Sequence, residues 1–264
     1  MHNLFLFALG VLIAKGGKLY ERKHLMGVPQ RREKTCFSAF LKPATGYAFP
    51  VDTAGSTTYD WQTINSKQFI AVDPAGGVHM CWTWSDMNDL SGVCARYNCI
   101  MPDGAWPLGR GMDGGVCVGS GGAGTVDYLS DGRGVLSCRT DSGCAVGVDF
   151  SPYAGFFTLF HSPSSQNLPW PRLAVNAEDD VILLSRGYEN RHLYYILFDE
   201  GSGTFTDWAL VDTLVHWHQV FGSKESSKFL LVWSKDVESD PELDSAYFWI
   251  SHLVYQESPD GGNT

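Results

Sequence analysis

Basic residues are scarce over most of this chain. Its 264 residues include 19 Lys and Arg against 29 Asp and Glu, and eight of the basic residues lie in the first 42 positions beside two glutamates. The rest of the chain therefore carries 11 basic and 27 acidic side chains. Because nucleic acids are bound through basic surfaces, this acidic main part excludes DNA or RNA as the expected partner.

Membrane-spanning runs and metal-binding cysteine pairs are also missing. The apolar stretch Leu4–Ala14 is too short to cross a bilayer, and no other segment is a better candidate. Seven cysteines occur, an odd number, but none form a CxxC pair and no His pair lies nearby, which argues against a zinc site. Four of them are expected to be small buried strand residues or members of incidental disulfides: Cys81, Cys94, Cys99 and Cys138.

The N-terminus has the features of an export signal. Leu4–Ala14 matches the apolar region of a signal peptide in length, and Ala14-Lys15-Gly16 offers a small-x-small cleavage site. The first residues contain His2 but no Lys or Arg, so a buried N-terminal strand or helix is the alternative. We predict a secreted, periplasmic or cell-surface protein with three segments: a signal peptide at 1–17, a basic linker at 18–45 and one domain at 46–264.

A repeated unit fills the middle of the chain. An apolar strand, a polar or Gly-rich turn and a second apolar strand recur four times, and the second strands begin at equivalent positions separated by 57, 46 and 48 residues: Val78, Val135, Val181 and Phe229. These intervals are typical of four-stranded propeller blades and too long for helical repeats. The pattern predicts an all-β fold, a β-propeller built from four-stranded antiparallel blades.

The last seven residues carry a motif. Ser258, Asp260, Gly262 and Thr264 spell SxDxGxT after an expected strand, Leu253–Glu257. The short polar side chains can bond their own turn, and glycine accepts the positive φ of a hairpin. The motif and the repeats resemble the Asp boxes of sialidase-like (BNR-repeat) β-propellers, over roughly residues 60–264. This resemblance implies a structural role for the box and a ligand site on the opposite face.

The predicted ring is incomplete. Four repeats and a box that stops before its closing aromatic residue indicate a truncated propeller or part of a six-bladed ring. We expect either that the natural chain continues beyond Thr264 or that residues before 60 supply closing strands. Gly46–Thr53 is one such candidate, because Leu210–Thr213 echoes its second half.

Candidate ligand residues follow from blade topology. Loops between the second and third strands of each blade lie opposite the Asp boxes, and they are expected at 85–93, 139–147, 185–191 and 234–246. Nine acidic and four basic residues occur in these loops, and Pro171-Arg172-Leu173 lacks the arginine motif that sialidases use, so we predict no catalytic residue. The residues expected to contact a ligand are Trp84, Asp86, Arg186, Arg191 and Trp249.

Two weaker metal patterns complete the candidates. Asp236, Glu238 and Asp240 alternate in one loop, as oxygen ligands for calcium could, although a solvated acidic loop is the simpler interpretation. His216 and His218 flank Trp217 and would share a strand face, but no third ligand is evident. We therefore expect no cofactor, with calcium at the acidic loop as the alternative.

These observations favour an exported, non-catalytic propeller module that binds glycans or extracellular proteins. One alternative is a sialidase-like glycoside hydrolase with divergent or missing catalytic residues. A second is a structural repeat within a larger cell-surface protein. Fold-level resemblance does not decide between binding and catalysis, which depend on the site itself.

Overall fold

The computed structural model of the chain contains only strands, turns and irregular segments among the residues it describes. No helix long and apolar enough to span a membrane occurs among them. The predicted signal peptide and linker lie outside the described part. The described residues are 52–57, 68–86, 92–122, 124–141, 143–163, 168–236 and 251–258.

Within the described ranges, sixteen strands form four antiparallel sheets, which are the blades of a β-propeller. Blade 1 consists, in sheet order, of β1 (Ile70–Val72), β2 (Val78–Trp84), β3 (Cys94–Ile100) and β4 (Val116–Ser120). Blade 2 consists of β5 (Val126–Tyr128), β6 (Gly134–Thr140), β7 (Gly143–Asp149) and β8 (Phe157–His161).

Blade 3 has five strands, and three strands of blade 4 are described. Blade 3 has β9 (Arg172–Val175), β10 (Val181–Arg186) and β11 (Leu193–Asp199), with both β12 (Thr204–Phe205) and β13 (Ala209–Asp212) paired to β11. Blade 4 has three described strands, β14 (Val215–Gly222), β15 (Phe229–Asp236) and β16 (Ser251–Ser258). The predicted all-β propeller is therefore confirmed, with four blades.

Three hydrophobic cores lie between consecutive blades. Blades 1 and 2 enclose a cluster that includes Tyr97 and Leu136, and blades 2 and 3 enclose one that includes Val146 and Ile196. The third core lies between blades 3 and 4: Ala174, Ile182, Leu184, Leu193, Val215, Val220, Phe229, Leu231 and Trp233. Each inner blade is thus apolar on both faces, as strands buried between two sheets must be.

The same five-residue turn joins the first two strands in blades 1, 2 and 3. In Asp73–Gly77, Leu129–Arg133 and Asn176–Asp180, the first N–H donates to the fifth carbonyl at 3.0–3.1 Å. The fourth residue has a positive φ each time, 93° at Gly76, 86° at Gly132 and 65° at Asp179. Second strands start at Val78, Val181 and Phe229 as predicted, and one residue before Val135 in blade 2.

One strand prediction was wrong. Residues 139–147 do not form a loop, because β6 and β7 pair directly from Thr140 and Gly143 as a tight hairpin. In blade 1 the fourth strand begins only at Val116, well beyond the turn at 101–105. Of the proposed closing strand Gly46–Thr53, only Asp52 and Thr53 are described, and neither lies in a strand.

Six of the seven cysteines are described, and their environments agree with the expectation. Cys94 and Cys117 form a disulfide that joins β3 to β4. The other four are buried thiols: Cys81, Cys99, Cys138 and Cys144. Burial raises the pKa of Cys99 to about 11 and that of Cys144 to about 12, so these thiols are poor nucleophiles.

Candidate functional site

The propeller has two faces with different roles. We call turn face the side that carries the turns between first and second strands, at 73–77, 129–133, 176–180 and 223–228. We call loop face the opposite side, which carries the connections between second and third strands. In blades 1 to 3 these connections are residues 85–93, 141–142 and 187–192.

Hydrogen bonds join neighbouring blades across the turn face. The Ser130 N–H and hydroxyl of blade 2 donate to the Asp179 carboxylate of blade 3, at 2.7 and 2.5 Å. Asn176 in turn donates its amide to the Ser227 carbonyl of blade 4 at 2.9 Å. The turns of this face are therefore engaged in holding the blades together.

A buried polar network links blades 1 and 2 at the same face. The Asp73 carboxylate accepts hydrogen bonds from Gly77 N–H, His79 Nε2 and the Tyr153 hydroxyl. His79 Nδ1 lies 2.7 Å from the Tyr97 hydroxyl, and the imidazole stacks on the Tyr153 ring at a centroid distance of 5.4 Å. Every member thus has partners, which is the arrangement expected of a structural network.

Protonation states in this network follow from burial. Burial opposes ionisation of Asp73, but hydrogen bonds from Tyr153, Gly77 and His79 outweigh it and lower the pKa of that carboxyl. Burial also lowers the pKa of His79, although Asp73 acts in the opposite direction. The pair is therefore a carboxylate hydrogen-bonded to a neutral imidazole, 3.2 Å apart, rather than an ion pair.

On the loop face, the Arg186 side chain and the Arg191 backbone bond the start of blade 4. Arg186 Nη1 donates to the Val215 carbonyl at 3.2 Å and to the His216 carbonyl at 2.8 Å. The Val215 N–H donates to the Arg191 carbonyl at 2.9 Å. Arg186 and Arg191, both predicted from sequence, thus lie at the junction of blades 3 and 4. Arg191 has a φ of 52°.

A third arginine and a histidine lie beneath this junction. Arg172, on the first strand of blade 3, is fully buried, and its Nη1 donates to the Pro171 carbonyl at 2.7 Å. Burial lowers its pKa to about 10, and the charge of Arg186 acts in the same direction. His218 Nε2 donates to the Trp170 carbonyl at 2.8 Å.

Arg172, Arg186 and His218 form what we call the cationic cluster. Burial holds the pKa of His218 well below its ordinary value, and the charges of Arg172 and Arg186 lower it further. The two guanidinium charges of Arg172 and Arg186 therefore favour a bound anion at the cluster. The sequence count of nine acidic and four basic loop residues included neither Arg172 nor His218, so it did not reveal this local concentration of positive charge.

The predicted ligand residues fall into two groups. Trp84 and Asp86 lie at the loop face of blade 1, where the Arg96 guanidinium sits 5.3 Å from the centre of the Trp84 ring and Asp86 is exposed. Arg186 and Arg191 belong to blade 3. The structure does not place the two groups in contact, and Trp249 lies outside the described residues.

The metal and Asp-box candidates are only partly described. Asp236 ends β15 opposite Ser251, whereas Glu238 and Asp240 lie outside the described residues, as do Asp260, Gly262 and Thr264. Ser258 is buried at the end of β16, opposite Phe229. Within the described ranges, no three His, Cys, Asp or Glu side chains are grouped to hold a metal ion.

The predicted pairing of His216 and His218 on one strand face rested on regular alternation. The structure has a β-bulge between Val215 and Trp217, so His216 is the extra residue opposite the β15 register. A bulge re-aims the side chains around it. His218 bonds the Trp170 carbonyl instead. The sequence contained one indication of the cluster, the charged Arg172 at the start of the otherwise apolar strand Arg172–Val175.

No protein-family model and no curated protein sequence matches this chain. The endo-arabinase of Bacteroides thetaiotaomicron is similar in structure, with a TM-score of 0.49 and 15% identity over 82% of this chain and 81% of that one. The Hadza microbial sialidase Hz136 has a TM-score of 0.47 and 13% identity over 74% of this chain. An ulvan lyase of the polysaccharide lyase class has a TM-score of 0.44 and 12% identity over 72% of this chain.

The chain spans only 43% of the sialidase and 48% of the ulvan lyase. At these identities a structural likeness concerns the fold alone. Function must therefore be inferred from the residues of this chain.

Proposed function

We propose that this protein is a non-catalytic binding module for acidic glycans, which it holds on the loop face at the junction of blades 3 and 4. The observation that carries the proposal is the cationic cluster, in which the charges of Arg172 and Arg186 repel one another and hold the His218 imidazole neutral. Guanidinium groups bind carboxylate and sulfate groups through charge-assisted hydrogen bonds. A glycan carrying such a group would relieve the repulsion.

One further feature supports a sugar ligand at this junction. Tyr188, in the connection next to Arg186, is a highly exposed aromatic residue on which a sugar ring can stack.

Export is part of the proposal and has separate support. A disulfide such as Cys94–Cys117 forms in oxidising compartments, which agrees with the predicted signal peptide at 1–17. Expressing the chain with its N-terminus intact and determining the mature N-terminal residue tests this. Retention of residues 1–17 in an intracellular, reduced protein would contradict export.

Binding is tested by titrating uronate-containing and sulfated oligosaccharides, with neutral oligosaccharides of equal length, into the purified protein. We expect saturable binding of acidic oligosaccharides only. Arg191→Asn removes the guanidinium, and asparagine accepts the positive φ of that position. This variant and Tyr188→Ala should each weaken binding about fivefold or more, equal to about 1 kcal/mol.

The matched control is Arg110→Asn, which removes an exposed arginine paired with Asp52 away from the junction. It should leave the affinity unchanged. Equal binding of neutral and acidic oligosaccharides, or no effect of either junction variant, would contradict the proposed site. Release of product from a chromogenic glycoside would instead favour the hydrolase alternative.

A further inference from the structure

A short segment ahead of β1 lies against blade 1, on the side of its sheet that does not face blade 2. The Trp82 indole N–H of β2 donates to the Ser56 carbonyl at 3.3 Å. Asn98 of β3 donates its amide to the Ala54 carbonyl at 2.6 Å. We call this segment, residues 52–57, the strap. Two neighbouring strands of blade 1 therefore bind alternate carbonyl groups of one peptide.

The connection from β3 to β4 lies on the other side of the strap. The Gly111 N–H of this connection donates to the Thr53 carbonyl at 2.6 Å. The Ser56 hydroxyl donates to the Met112 carbonyl at 2.8 Å. The strap thus fills a cleft between the sheet of blade 1 and this connection, which we call the strap cleft.

The walls of the strap cleft are held by bonds that do not involve the strap. Arg96 Nη2 donates to the Asp113 and Gly115 carbonyls, at 2.9 and 3.2 Å, and so ties the connection to β3. The disulfide between Cys94 and Cys117 joins β3 to β4 just after the connection. The cleft is therefore formed without its occupant, and a preformed site binds a peptide at a lower cost in ordering.

The strap itself is weakly anchored. None of its residues is buried, and its one apolar side chain is the methyl group of Ala54. Asp52 pairs with Arg110, but both side chains are exposed, and such ion pairs contribute little. Segments held by a few hydrogen bonds with little apolar burial open without unfolding the rest of a protein. We therefore expect the strap to leave its cleft while the blades stay folded.

The strap cleft selects glycine at one position. A Cβ at Gly55 would lie 2.2 Å from Cζ2 of Trp82 and 3.0 Å from the Gly114 carbonyl oxygen. The Trp82 ring is itself confined, because the Gly115 backbone packs against its edge. A bound peptide therefore needs glycine over the indole, with small residues on either side, as the strap has.

We propose that blade 1 carries a peptide-binding cleft, that the strap is its built-in ligand, and that a glycine-containing segment of another protein displaces it. The strap shows the chemistry of that partner, a peptide whose carbonyl groups accept hydrogen bonds on either side of a glycine. A covalently attached ligand has a high effective concentration, so the strap excludes weak partners and is autoinhibitory. The cleft lies on blade 1, so the proposal does not depend on glycan binding at the junction of blades 3 and 4.

Displacing the strap and adding a peptide test the proposal in the full-length chain. Gly55→Val places a side chain against Trp82 and should expel the strap. The Trp82 indole N–H signal, assigned in NMR spectra by its loss in Trp82→Phe, should shift, and its exchange with solvent should rise at least about tenfold. An acetylated and amidated hexapeptide with the sequence of residues 52–57 should then bind saturably and return the signal towards its wild-type position.

Controls separate the cleft from general effects of substitution. The wild-type chain should bind the hexapeptide at least about tenfold more weakly than the Gly55→Val chain, because its own strap competes. A hexapeptide with valine in place of glycine should not bind. Gly201→Val is the matched control, since an added Cβ there meets only Asp199 Oδ1, at 3.3 Å, and it should leave the Trp82 signal unchanged. If Gly55→Val loses the wild-type far-UV spectrum, Gly55→Ala supplies the same test, because its Cβ already reaches the indole.

Four results would overturn the proposal. The first is a Trp82 signal that is unchanged in both Gly55 variants, and the second is a folded Gly55→Val chain that does not bind the hexapeptide at about 5 mM. The third is equal binding of the hexapeptide by the wild-type and variant chains. The fourth is a wild-type dimer in sedimentation velocity that Gly55→Val dissociates, since the strap would then occupy the cleft of a second copy.

Discussion

Lys224 of blade 4 lies 2.8 Å from the Asp127 carboxylate of blade 2, so the two residues connect blades that are not neighbours in sequence. The same ammonium group sits 4.1 Å from the centre of the Tyr128 ring and donates to the Val175 carbonyl of blade 3 at 2.8 Å. One side chain of blade 4 thus contacts two other blades at the turn face. The blades are held together there by polar contacts in addition to their apolar cores.

Removing this link should destabilise the propeller. Lys224→Met leaves the nearly buried Asp127 carboxylate with only its hydrogen bonds from the backbone N–H groups of Tyr128 and Val175. We expect the free energy of unfolding in urea to fall by about 1–2 kcal/mol, since Lys224 is itself partly exposed. Arg110→Met, which breaks the exposed Arg110–Asp52 pair, should cost less than about 0.5 kcal/mol. Equal losses in both variants would contradict a special role for Lys224.

The left-handed turn residue of blade 3 offers a second test. Asp179 replaces the glycine found at this position in blades 1 and 2, and its carboxylate accepts two hydrogen bonds from Ser130. Asp179→Ala loses these bonds and keeps a strained φ, so it should cost about 1–2 kcal/mol. Asp179→Gly should cost less, because it relieves the strain. A larger loss in Asp179→Gly than in Asp179→Ala, measured by thermal unfolding, would contradict this explanation.

The disulfide of blade 1 should contribute measurably to stability. Cys94 and Cys117 are 23 residues apart in sequence, and a cross-link of that length is expected to stabilise a protein by about 3 kcal/mol. Adding a reductant should therefore lower the melting temperature of the wild-type protein. The double variant Cys94→Ser with Cys117→Ser should melt at the reduced value and should not respond to reductant. An unchanged melting temperature on reduction would show that the bond is dispensable.

Stability should fall as the pH is lowered from 7 to 5. His79 and His218 both have a pKa below the ordinary 6.5 in the folded protein, chiefly because of burial. At pH values between the folded-state pKa of each histidine and 6.5, the unfolded chain therefore binds more protons than the folded protein. Stability contributed by the neutral imidazoles is complete above pH 6.5 and is lost as the pH falls below it, by up to about 1.4 kcal/mol per pH unit and histidine.

Urea unfolding at several pH values measures this slope. His218→Gln removes one titrating group while keeping a donor for the Trp170 carbonyl, so its slope should be smaller than that of the wild type. His192→Gln is the control, since His192 is not deeply buried. If the free energy of unfolding of the wild type stays constant from pH 7 to 5, folding does not lower the pKa of either buried histidine.

The repeat was readable from the sequence because its signals are local. Apolar strands around Asp73–Gly77 and Asn176–Asp180 and the turn residues between them predict hairpins directly. The strand β7 was missed because Gly143 and Gly147 interrupt its apolar pattern. Such residues favour a loop in sequence, yet here the side chains of Val118 and Leu159 lie so close to Gly147 that a Cβ at this position would require them to shift.

The candidate site was less readable because it depends on contacts between blades. Arg186 and Arg191 were predicted as ligand residues because they lie between the second and third strands of a blade, and the order of the strands alone is enough for that prediction. Arg172 was treated as part of an absent motif, since nothing in its own strand reveals that Arg186 and His218 come close to it. The bulge at Val215 likewise depends on the pairing of β14 with β15 and cannot be seen in either strand alone.

The coupling between Arg172 and His218 is itself open to measurement. The charge of Arg172 is the second cause, after burial, of the low pKa of His218. Arg172→Met keeps an unbranched side chain in the buried space but removes the charge, so the pKa of His218 should rise. It should remain below 6.5, because burial still disfavours the imidazolium form. NMR titration of the His218 ring protons measures both values.

An acidic oligosaccharide bound at the junction should raise the pKa of His218 in the wild-type protein for the same reason, since its negative charge offsets the two guanidinium groups. Arg110→Met serves as the control for a general change in protein charge, and it should leave the His218 titration unchanged. If Arg172→Met lowers the pKa of His218 or leaves it unchanged while the fold is intact, the two groups are not coupled. The cationic cluster would then not account for binding of an anion at this junction.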